Sequence, residues 1–299
     1  MSIEKISIAK MSHDEWIEER KKGIGGSDAA GIVGLNAYTT PYSIWADKTG
    51  RIPPKEDNEA MRQGRDLEDY VAKRWEETTG KKVRRCNYIL RNTKYPFAHA
   101  NIDRDVVGEN AGLECKTTSL MNLKKFKNGS YPENYYVQCM HYMAVTGADR
   151  WYLAVLVLNK GFYDFVIERD EDEIKALMEA EAEFWTHVEN DTPPAFTGLD
   201  PDSEALKVVY REGNDNAEAV QLVGRESDIE NLLALKAQKK ELDKSIKYYE
   251  QVLQGDLKNN EYGVCGNYSV TWKTQTRAAH MVKASTFRKF EVKKLNKEA

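Results

Sequence analysis

The stretch HANIDRDVVGENAGLECKTT, residues 99–118, constrains the fold more than any other part of the chain. It holds two short apolar runs on either side of a glycine-containing turn, which is the pattern of two adjacent β-strands. Because side chains alternate between the two faces of a strand, Glu114 and Lys116 share one face, and Leu113 and Cys115 share the other. The thiol of Cys115 is therefore expected to face the core.

Carboxylates from these two strands would lie close together if residues 108–112 form the turn. Asp103 and Asp105 share a face of the first strand, and repulsion between either of them and Glu114 costs free energy unless a cation lies there. Carboxylate oxygens are the ligands that Mg²⁺ and Mn²⁺ prefer. Lys116 beside them could hold a water molecule or stabilise charge on a phosphate. These are the groups needed to hydrolyse a phosphodiester, but a surface hairpin with a Glu–Lys ion pair has the same pattern.

The elements around this hairpin predict an α/β fold with a mixed central sheet flanked by helices. The segment 23–34 is rich in glycine and small residues, and it predicts a turn followed by a short helix capped by Ser27 or Asp28. Capping signals and apolar periodicity predict the remaining elements. Helices are expected over residues 14–22, 41–49, 57–79, 132–146 and 170–190, and strands over residues 83–91, 151–159 and 162–169.

The segment DTPPAF, residues 191–196, predicts a boundary between a domain of residues 1–196 and an appendage of residues 197–299. Within the appendage, residues 224–258 have the apolar spacing of a long helix with partial heptad character. Residues 261–275 are expected to form a β-hairpin around Gly266 and Asn267.

Composition narrows the classes of protein to which the chain could belong. Of 299 residues, 41% are hydrophobic and 31% charged, which is typical of a soluble globular protein. No apolar run is long enough to span a bilayer, and the first residues lack the apolar core of a secretory signal. The four cysteines form no CxxC pair, which favours free thiols in a reducing cytosol and argues against zinc or iron–sulfur ligation.

Charge is distributed unevenly along the chain. The net charge of −4 excludes a uniformly basic nucleic-acid-binding protein. Residues 163–230 carry 20 Asp and Glu against five Lys and Arg, whereas residues 273–299 carry eight Lys and Arg against two Glu. This distribution suits a protein that meets DNA on one side, and it equally suits an ordinary solvated surface.

The pattern Asp103…Glu114-Cys115-Lys116 resembles the Asp…(Asp/Glu)-x-Lys signature of the PD-(D/E)XK nucleases, with Ile102 where a proline is usual. Three further stretches follow one another around it in order. Together they resemble the YqaJ-like viral recombinase family, which is related to phage lambda exonuclease, over roughly residues 12–190. The stretches are GIGGSDAAGIVGLNAYTTPYSIWADKTG (23–50), GRDLEDYVAKRWEETTG (64–80) and YYVQCMHYMAVTGADRWYLAVL (135–156).

The resemblance implies a PD-(D/E)XK nuclease core and a 5′-to-3′ exonuclease on linear double-stranded DNA, with two Mg²⁺ or Mn²⁺ ions in the active site. The resemblance also assigns roles to individual residues of this sequence. Asp103, Glu114 and the backbone carbonyl of Cys115 would bind metal, with Glu68 contributing to the second metal or its water shell. Lys116 would be the catalytic lysine, and Gln138 would orient it or a phosphate oxygen. Arg20 and Ser27 would grip phosphate near the 5′ end.

The resemblance further implies partners and a cellular context. The products would be 5′-mononucleotides and a 3′ single-stranded overhang. The partners would be double-stranded DNA ends and a phage single-strand annealing protein, with no membrane. A trimeric ring around DNA is the homo-oligomer that the resemblance suggests. The host would be a bacterial cytoplasm, and the gene would come from a phage or prophage.

Simpler interpretations of single residues stay open at this point. Glu68 lies at the edge of an apolar helix face, and a salt bridge with Arg65 or Arg62 on the same helix would also explain it. Gln138 lies among aromatic residues and could be a hydrogen-bonded core amide. Ser27 could be a plain N-cap as well as a phosphate ligand.

Other functions remain as alternatives. One is a different PD-(D/E)XK enzyme, such as an endonuclease or a Cas4-like nuclease, although the cysteines lack the clustering of an iron–sulfur site. Another is a non-catalytic adaptor that binds DNA ends, against which the intact set Asp103, Glu114 and Lys116 argues. A third is a coiled-coil interaction protein that works through residues 224–258.

Overall fold

The protein is described here from a computed structural model, which covers residues 2–54, 57–213, 219–276, 290 and 292. It forms two compact units, which meet in sequence between Tyr210 and Arg211. In the first unit, four helices follow the first strand, five strands come next, and a 3₁₀ helix, α5, two strands and two further helices complete the order. In chain order, the elements are β1 (Ile3–Ser7), α1 (His13–Lys21), α2 (Gly26–Ile32), α3 (Pro41–Lys48), α4 (Glu59–Thr79), β2 (Val83–Arg85), β3 (Tyr88–Asn92), β4 (Tyr95–Ala100), β5 (Arg104–Val106), β6 (Ala111–Thr118), a 3₁₀ helix (Leu120–Phe126), α5 (Glu133–Thr146), β7 (Arg150–Val157), β8 (Gly161–Glu168), α6 (Glu171–Glu189) and α7 (Asp200–Val209).

A five-stranded sheet in the order β2-β5-β6-β7-β8 forms the centre of the first unit. Strands β6 and β7 are parallel, and the other pairs are antiparallel. Parallel neighbours need a crossover connection, and here α5 supplies it. The mixed sheet flanked by helices confirms the predicted fold class.

The centre of the sheet is covered on both faces, because the side chains of β7 alternate between two helices. Trp151, Leu153 and Val155 pack in a cluster with residues of α5, and Tyr152 and Ala154 pack in a cluster with residues of α4. Within α4, Val71 and Trp75 are fully buried in the second of these clusters. This packing orders the first unit as helix, sheet and helix layers.

The segment of residues 83–91 is divided between two sheets. Its first part is β2, an edge strand of the central sheet, and its second part is β3, which pairs with β1 and β4 in a separate three-stranded antiparallel sheet. A single strand had been expected here, and β1 had not been predicted. Strand β1 is five residues long, and its partner β3 lies more than 80 residues further along the chain. No local sequence pattern therefore predicts that the two strands pair.

Helix α7 belongs to the first unit although it follows residue 196. The Thr40 hydroxyl donates a buried hydrogen bond of 2.5 Å to Oδ1 of Asp202, so α7 is tied to the start of α3. The Phe196 ring also packs on Tyr42, with 4.7 Å between ring centroids. The break at DTPPAF therefore separates two helices of the same unit.

The second unit contains α8 (Glu226–Leu257) and an antiparallel hairpin of β9 (Tyr262–Cys265) and β10 (Tyr268–Thr271). Both elements were predicted from the sequence. Gly266 begins the turn with φ of 55°, in the region that glycine adopts most readily. The basic end of the chain, residues 277–289 and 293–299, lies outside the described residues.

Candidate active site

Strand β6 places the carboxylate of Glu114 and the ammonium group of Lys116 together on the sheet face that α5 covers. Nζ of Lys116 lies 2.5 Å from Oε1 of Glu114, and the Glu114 side chain is almost entirely buried. Leu113 and Cys115 point to the opposite face, into the cluster with α4. Burial raises the pKa of the Cys115 thiol well above its ordinary value, so this thiol is not a nucleophile.

Asp103 is held beside Glu114 by a hydrogen bond to the backbone of β6. Its Oδ2 accepts a 2.8 Å hydrogen bond from the N–H of Cys115, the residue between Glu114 and Lys116. Burial raises the pKa of Asp103 well above its ordinary value, and the carboxylates of Glu114 and Glu68 raise it further. The structure therefore brings Asp103, Glu114 and Lys116 together, and burial and the neighbouring carboxylates disfavour the charged form of Asp103 despite the nearby Lys116.

Lys116 remains a cation in this setting. Burial alone would lower its pKa, but the carboxylates of Glu114 and Asp103 outweigh burial and raise the pKa above its ordinary value. The ammonium group also lies 5.3 Å from the ring centroid of Tyr135 on α5, a cation–π distance. A lysine held in this way supplies positive charge and cannot act as a proton acceptor at neutral pH.

Helix α5 contributes Gln138, as the resemblance implied, but its contacts are to the acid. Its Nε2 donates hydrogen bonds of 2.8 Å to Oε1 of Glu114 and of 2.8 Å to the Tyr142 hydroxyl. Lys116 and Gln138 thus both bind the same oxygen of Glu114. Gln138 fixes the carboxylate of Glu114, and it does not contact Lys116 directly.

Glu68 is paired with an arginine that the sequence analysis did not single out. Nη1 of Arg104 binds Oε1 of Glu68, and Nη2 of Arg104 lies 2.6 Å from Oδ1 of Asp69. Arg65 and Arg62, the partners considered from the sequence, bind Asp57 and Asp66 instead. The Glu68 carboxylate lies close enough to Asp103 to raise the pKa of Asp103, so Glu68 borders the site.

The donor set fits a divalent cation. Oε2 of Glu114 is buried and has no hydrogen-bond partner among the residues that the structure describes, which is costly for a carboxylate. A cation bound by this oxygen and by Asp103 would offset both the missing partner and the mutual repulsion of the acids. Within the described ranges, no group of three or more His, Cys, Asp or Glu side chains is arranged to hold a metal. A backbone oxygen, such as the Cys115 carbonyl, would therefore have to complete the coordination.

Arg20 and Ser27 are in direct contact. Nη2 of Arg20 donates a 3.0 Å hydrogen bond to Oγ of Ser27, and the guanidinium stacks over the Trp16 ring at 4.8 Å. The N-cap of α2 is Gly25, so the prediction of Ser27 or Asp28 as the cap was wrong. Asp28 instead accepts a 3.0 Å hydrogen bond from the Gly25 N–H from inside the first turn.

Gly26 brings α2 against the α5 side of the site. A Cβ at this position would lie 2.6 Å from Cε1 of Tyr142 and 3.1 Å from Cγ of Gln138. Such distances exclude a side chain at this position, so glycine is required for the close approach of the two helices. Ser27, which binds Arg20, therefore directly follows the residue at which α2 meets Tyr142 and Gln138.

An ion pair beneath α2 gives a pH-dependent contribution to stability. Oδ2 of Asp28 lies 2.6 Å from Nζ of Lys48. Burial alone would raise the pKa of Asp28, but Lys48 and Arg20 hold it well below its ordinary value of 3.8. The stabilisation is therefore complete above pH 3.8 and is lost as the pH falls through the folded-state pKa.

Asp28→Asn is expected to lower the free energy of unfolding by about 2 kcal/mol at neutral pH, because a charge-assisted contact is lost. Urea unfolding at pH 7 and pH 3 measures the difference between wild type and variant. The difference should be smaller at pH 3, and Asp14→Asn on the exposed face of α1 should show little effect at either pH. A difference that grows on acidification would contradict this assignment.

Asp105 and His99, two further polar residues near Asp103 in sequence, make their contacts away from Glu114 and Lys116. Asp105 binds Arg84 on the neighbouring edge strand, with 3.3 Å between Oδ2 and Nε. His99 is buried, and its backbone carbonyl binds Nε2 of His141 at 2.9 Å. Of Asp103 and Asp105, Asp103 is therefore the one whose carboxylate is hydrogen-bonded to the backbone beside Glu114.

None of the helices in the described ranges has the length and apolar character needed to cross a membrane.

Comparison with known proteins identifies the family. A family model of the YqaJ-like viral recombinase domain matches residues 15–149. The uncharacterized protein YqaJ of Bacillus subtilis (strain 168) is 44% identical over 270 residues, which span 89% of this chain and 84% of that protein. An alkaline exonuclease from Laribacter hongkongensis has a similar structure, with a TM-score of 0.52 at 22% identity over 60% of this chain and 93% of that one. The same exonuclease in complex with dAMP gives a TM-score of 0.52 at 21% identity with the same coverage. The structural likeness establishes a shared fold, and the sequence matches show that this chain belongs to the YqaJ-like viral recombinase family.

Proposed function

We propose that the protein is a metal-dependent exonuclease that degrades linear double-stranded DNA from the 5′ end. The observation that carries the proposal is the ion pair of Lys116 with Glu114, with Asp103 hydrogen-bonded to the backbone between them. It lies beside a buried carboxylate oxygen of Glu114 that has no partner among the described residues. Paired acids with an adjacent cationic lysine are suited to phosphodiester hydrolysis. The family and the exonuclease-like fold both support a nuclease that acts on DNA.

In this proposal, each residue of the site has a distinct role in hydrolysis. Asp103, Glu114 and the Cys115 carbonyl would hold a divalent cation, with Glu68 contributing to a second one. Two Mg²⁺ or Mn²⁺ ions would lower the pKa of bound water and neutralise phosphoryl oxygens. Lys116, held as a cation, would orient the attacking water and stabilise negative charge on the phosphate.

Supporting residues keep these groups in place. Gln138 fixes one oxygen of Glu114 through its 2.8 Å hydrogen bond, so that the other oxygen stays available. Arg104 would have to share Glu68 with any cation bound there, because it already binds that carboxylate. Arg20 and Ser27 would bind the 5′ phosphate, for which a guanidinium and a hydroxyl are suitable donors.

The proposal extends to products, partners and location. The products would be 5′-mononucleotides and a 3′ overhang suited to recombination by a phage single-strand annealing protein. The first unit, which carries these residues and extends beyond residue 196 to Tyr210, would do this, with the residues from Arg211 onward as an appendage. A trimeric ring around DNA would make the enzyme processive. The protein would act in the cytoplasm of a bacterial host and be encoded by a phage or prophage.

The test uses linear duplexes that carry a label at the 5′ or the 3′ end of one strand, with Mg²⁺ present. Early release of the 5′ label as a mononucleotide, with covalently closed circular DNA left intact, is the expected result. Early release of the 3′ label would overturn the polarity. Cleavage of circular DNA would favour an endonuclease, and binding of ends without release under any divalent metal would favour the non-catalytic adaptor.

A further inference from the structure

Helix α8 of the second unit presents an apolar stripe to solvent. At about 100° per residue, the side chains of the stripe fall within an arc of about 60° on the helix surface. Each of them is between 46% and 67% exposed, which is unusual for a row of large apolar residues. The stripe consists of Leu235, Leu242, Ile246, Tyr249 and Leu253.

The spacing of the stripe is that of a coiled-coil seam. Leu235, Leu242 and Tyr249 are seven residues apart and occupy one core position of the heptad, d. Ile246 and Leu253 are also seven residues apart and occupy the other core position, a. A seven-residue repeat keeps the same face of a helix against a partner helix. The face is therefore built to pair with another long helix.

Lys239 is the one polar residue within the seam, and it limits the orientation in which a partner helix can pair with this face. It occupies an a position seven residues before Ile246. In a parallel pair of identical helices, Lys239 would face its own copy inside the core, where like charges repel. In an antiparallel pair centred near residue 244, Lys239 would face Tyr249 of the second copy, and an ammonium over an aromatic ring is favourable.

The antiparallel register is self-complementary along the whole stripe. Leu235 would face Leu253, Leu242 would face Ile246, and Tyr249 would face Lys239. Asp243 occupies the e position at the two-fold axis and would lie near its own copy, where it is solvent-exposed. Lys236 and Glu250 occupy the flanking e positions, which face each other in an antiparallel pair. They would form two symmetric ion pairs between the copies. The parallel register provides no such pair, because the g positions opposite these residues are uncharged.

We propose that α8 pairs antiparallel with α8 of a second copy of this chain, through the stripe from Leu235 to Leu253. The contact is a coiled coil about 27 Å long, given a rise of 1.5 Å per residue. It is isologous, because each contact occurs twice about a two-fold axis near residue 244. The proposal concerns the second unit alone and is independent of the proposed nuclease activity.

The first test measures the mass of the full-length protein by light scattering over a range of concentrations. Leu242→Glu places two charges in the core of the pair and should raise the dissociation constant by at least about a hundredfold. Gln251→Glu is the matched control, because Gln251 is exposed and lies on the side of α8 opposite the stripe. A wild-type monomer at all concentrations, or an oligomer unchanged by Leu242→Glu, would overturn the proposal.

The second test fixes the orientation by disulfide cross-linking in a Cys265→Ser background, which removes the exposed native cysteine. Chains with Lys239→Cys are mixed with chains with Tyr249→Cys, and each is also oxidised alone. A cross-link in the mixture, and none in either chain alone, is expected. A cross-link in Lys239→Cys alone would overturn the antiparallel register, and no cross-link in any sample would overturn the pairing itself.

Discussion

Lys116→Met is expected to reduce the rate of duplex degradation by about a thousandfold while leaving the fold intact. The ammonium group lies 2.5 Å from Glu114 and is held as a cation by Glu114 and Asp103. Removal of a group that stabilises developing charge in a water-excluded site typically costs 10²- to 10³-fold in rate, roughly 3–4 kcal/mol. Methionine keeps most of the packing against Tyr135, so the loss of rate would result from removal of the positive charge of Lys116.

Lys175→Met on α6 is the control for this experiment. Lys175 is exposed and forms only a distant contact of 4.0 Å with Glu179, so its loss should leave the rate nearly unchanged. Urea unfolding of both variants separates a loss of activity from a loss of structure. A Lys116→Met protein that is folded and retains more than a tenth of the wild-type rate would contradict the role given to Lys116.

Glu181→Leu is expected to lower the free energy of unfolding by about 3–5 kcal/mol, the cost of breaking a buried ion pair by removing one partner. Glu181 and His141 are both fully buried, and Nδ1 of His141 lies 2.8 Å from Oε1 of Glu181. Burial alone would lower the pKa of His141, but the Glu181 carboxylate outweighs it and raises the pKa above its ordinary value. The variant would leave His141 without this partner in the core.

A double-mutant cycle with His141→Leu separates the pair interaction from lost packing. The double variant should be clearly less destabilised than the sum of the two single variants, because it leaves no polar group unpaired at this point. Glu183→Leu, two residues away on the exposed face of α6, should change stability by less than about 0.5 kcal/mol. Additive effects in the cycle would show that Glu181 and His141 do not act as a pair.

The sequence predicted the part of the site that depends on strand geometry. The two-residue period of β6 places Glu114 and Lys116 on one face regardless of what packs there, and the antiparallel neighbour brings Asp103 alongside. The spacing of 3.6 residues per turn likewise puts Tyr135, Gln138 and Tyr142 on one side of a helix at α5. These relations are local, so a single sequence contains them.

The contacts that the sequence did not predict are long-range. Arg104 binds Glu68 across 36 positions, and His141 binds Glu181 across 40. Neither pair has a local signature. Glu181 lies in an acidic stretch that was predicted to form a helix over residues 170–190, and only the packing of α6 on α5 shows that this carboxylate is buried in the core. The position of β1 could not be predicted for the same reason.

The central claim is that Asp103 and Glu114 hold a divalent cation that is needed for hydrolysis. The most direct measurement is the release of 5′-mononucleotides from a linear duplex by wild type and by Glu114→Gln, each with Mg²⁺ and after chelation. Glu133→Gln, at the exposed start of α5, serves as the matched control. Release by wild type and the control with Mg²⁺ alone, and none by Glu114→Gln, is the predicted result. Undiminished release after chelation, or release by Glu114→Gln at the wild-type rate, would contradict the claim.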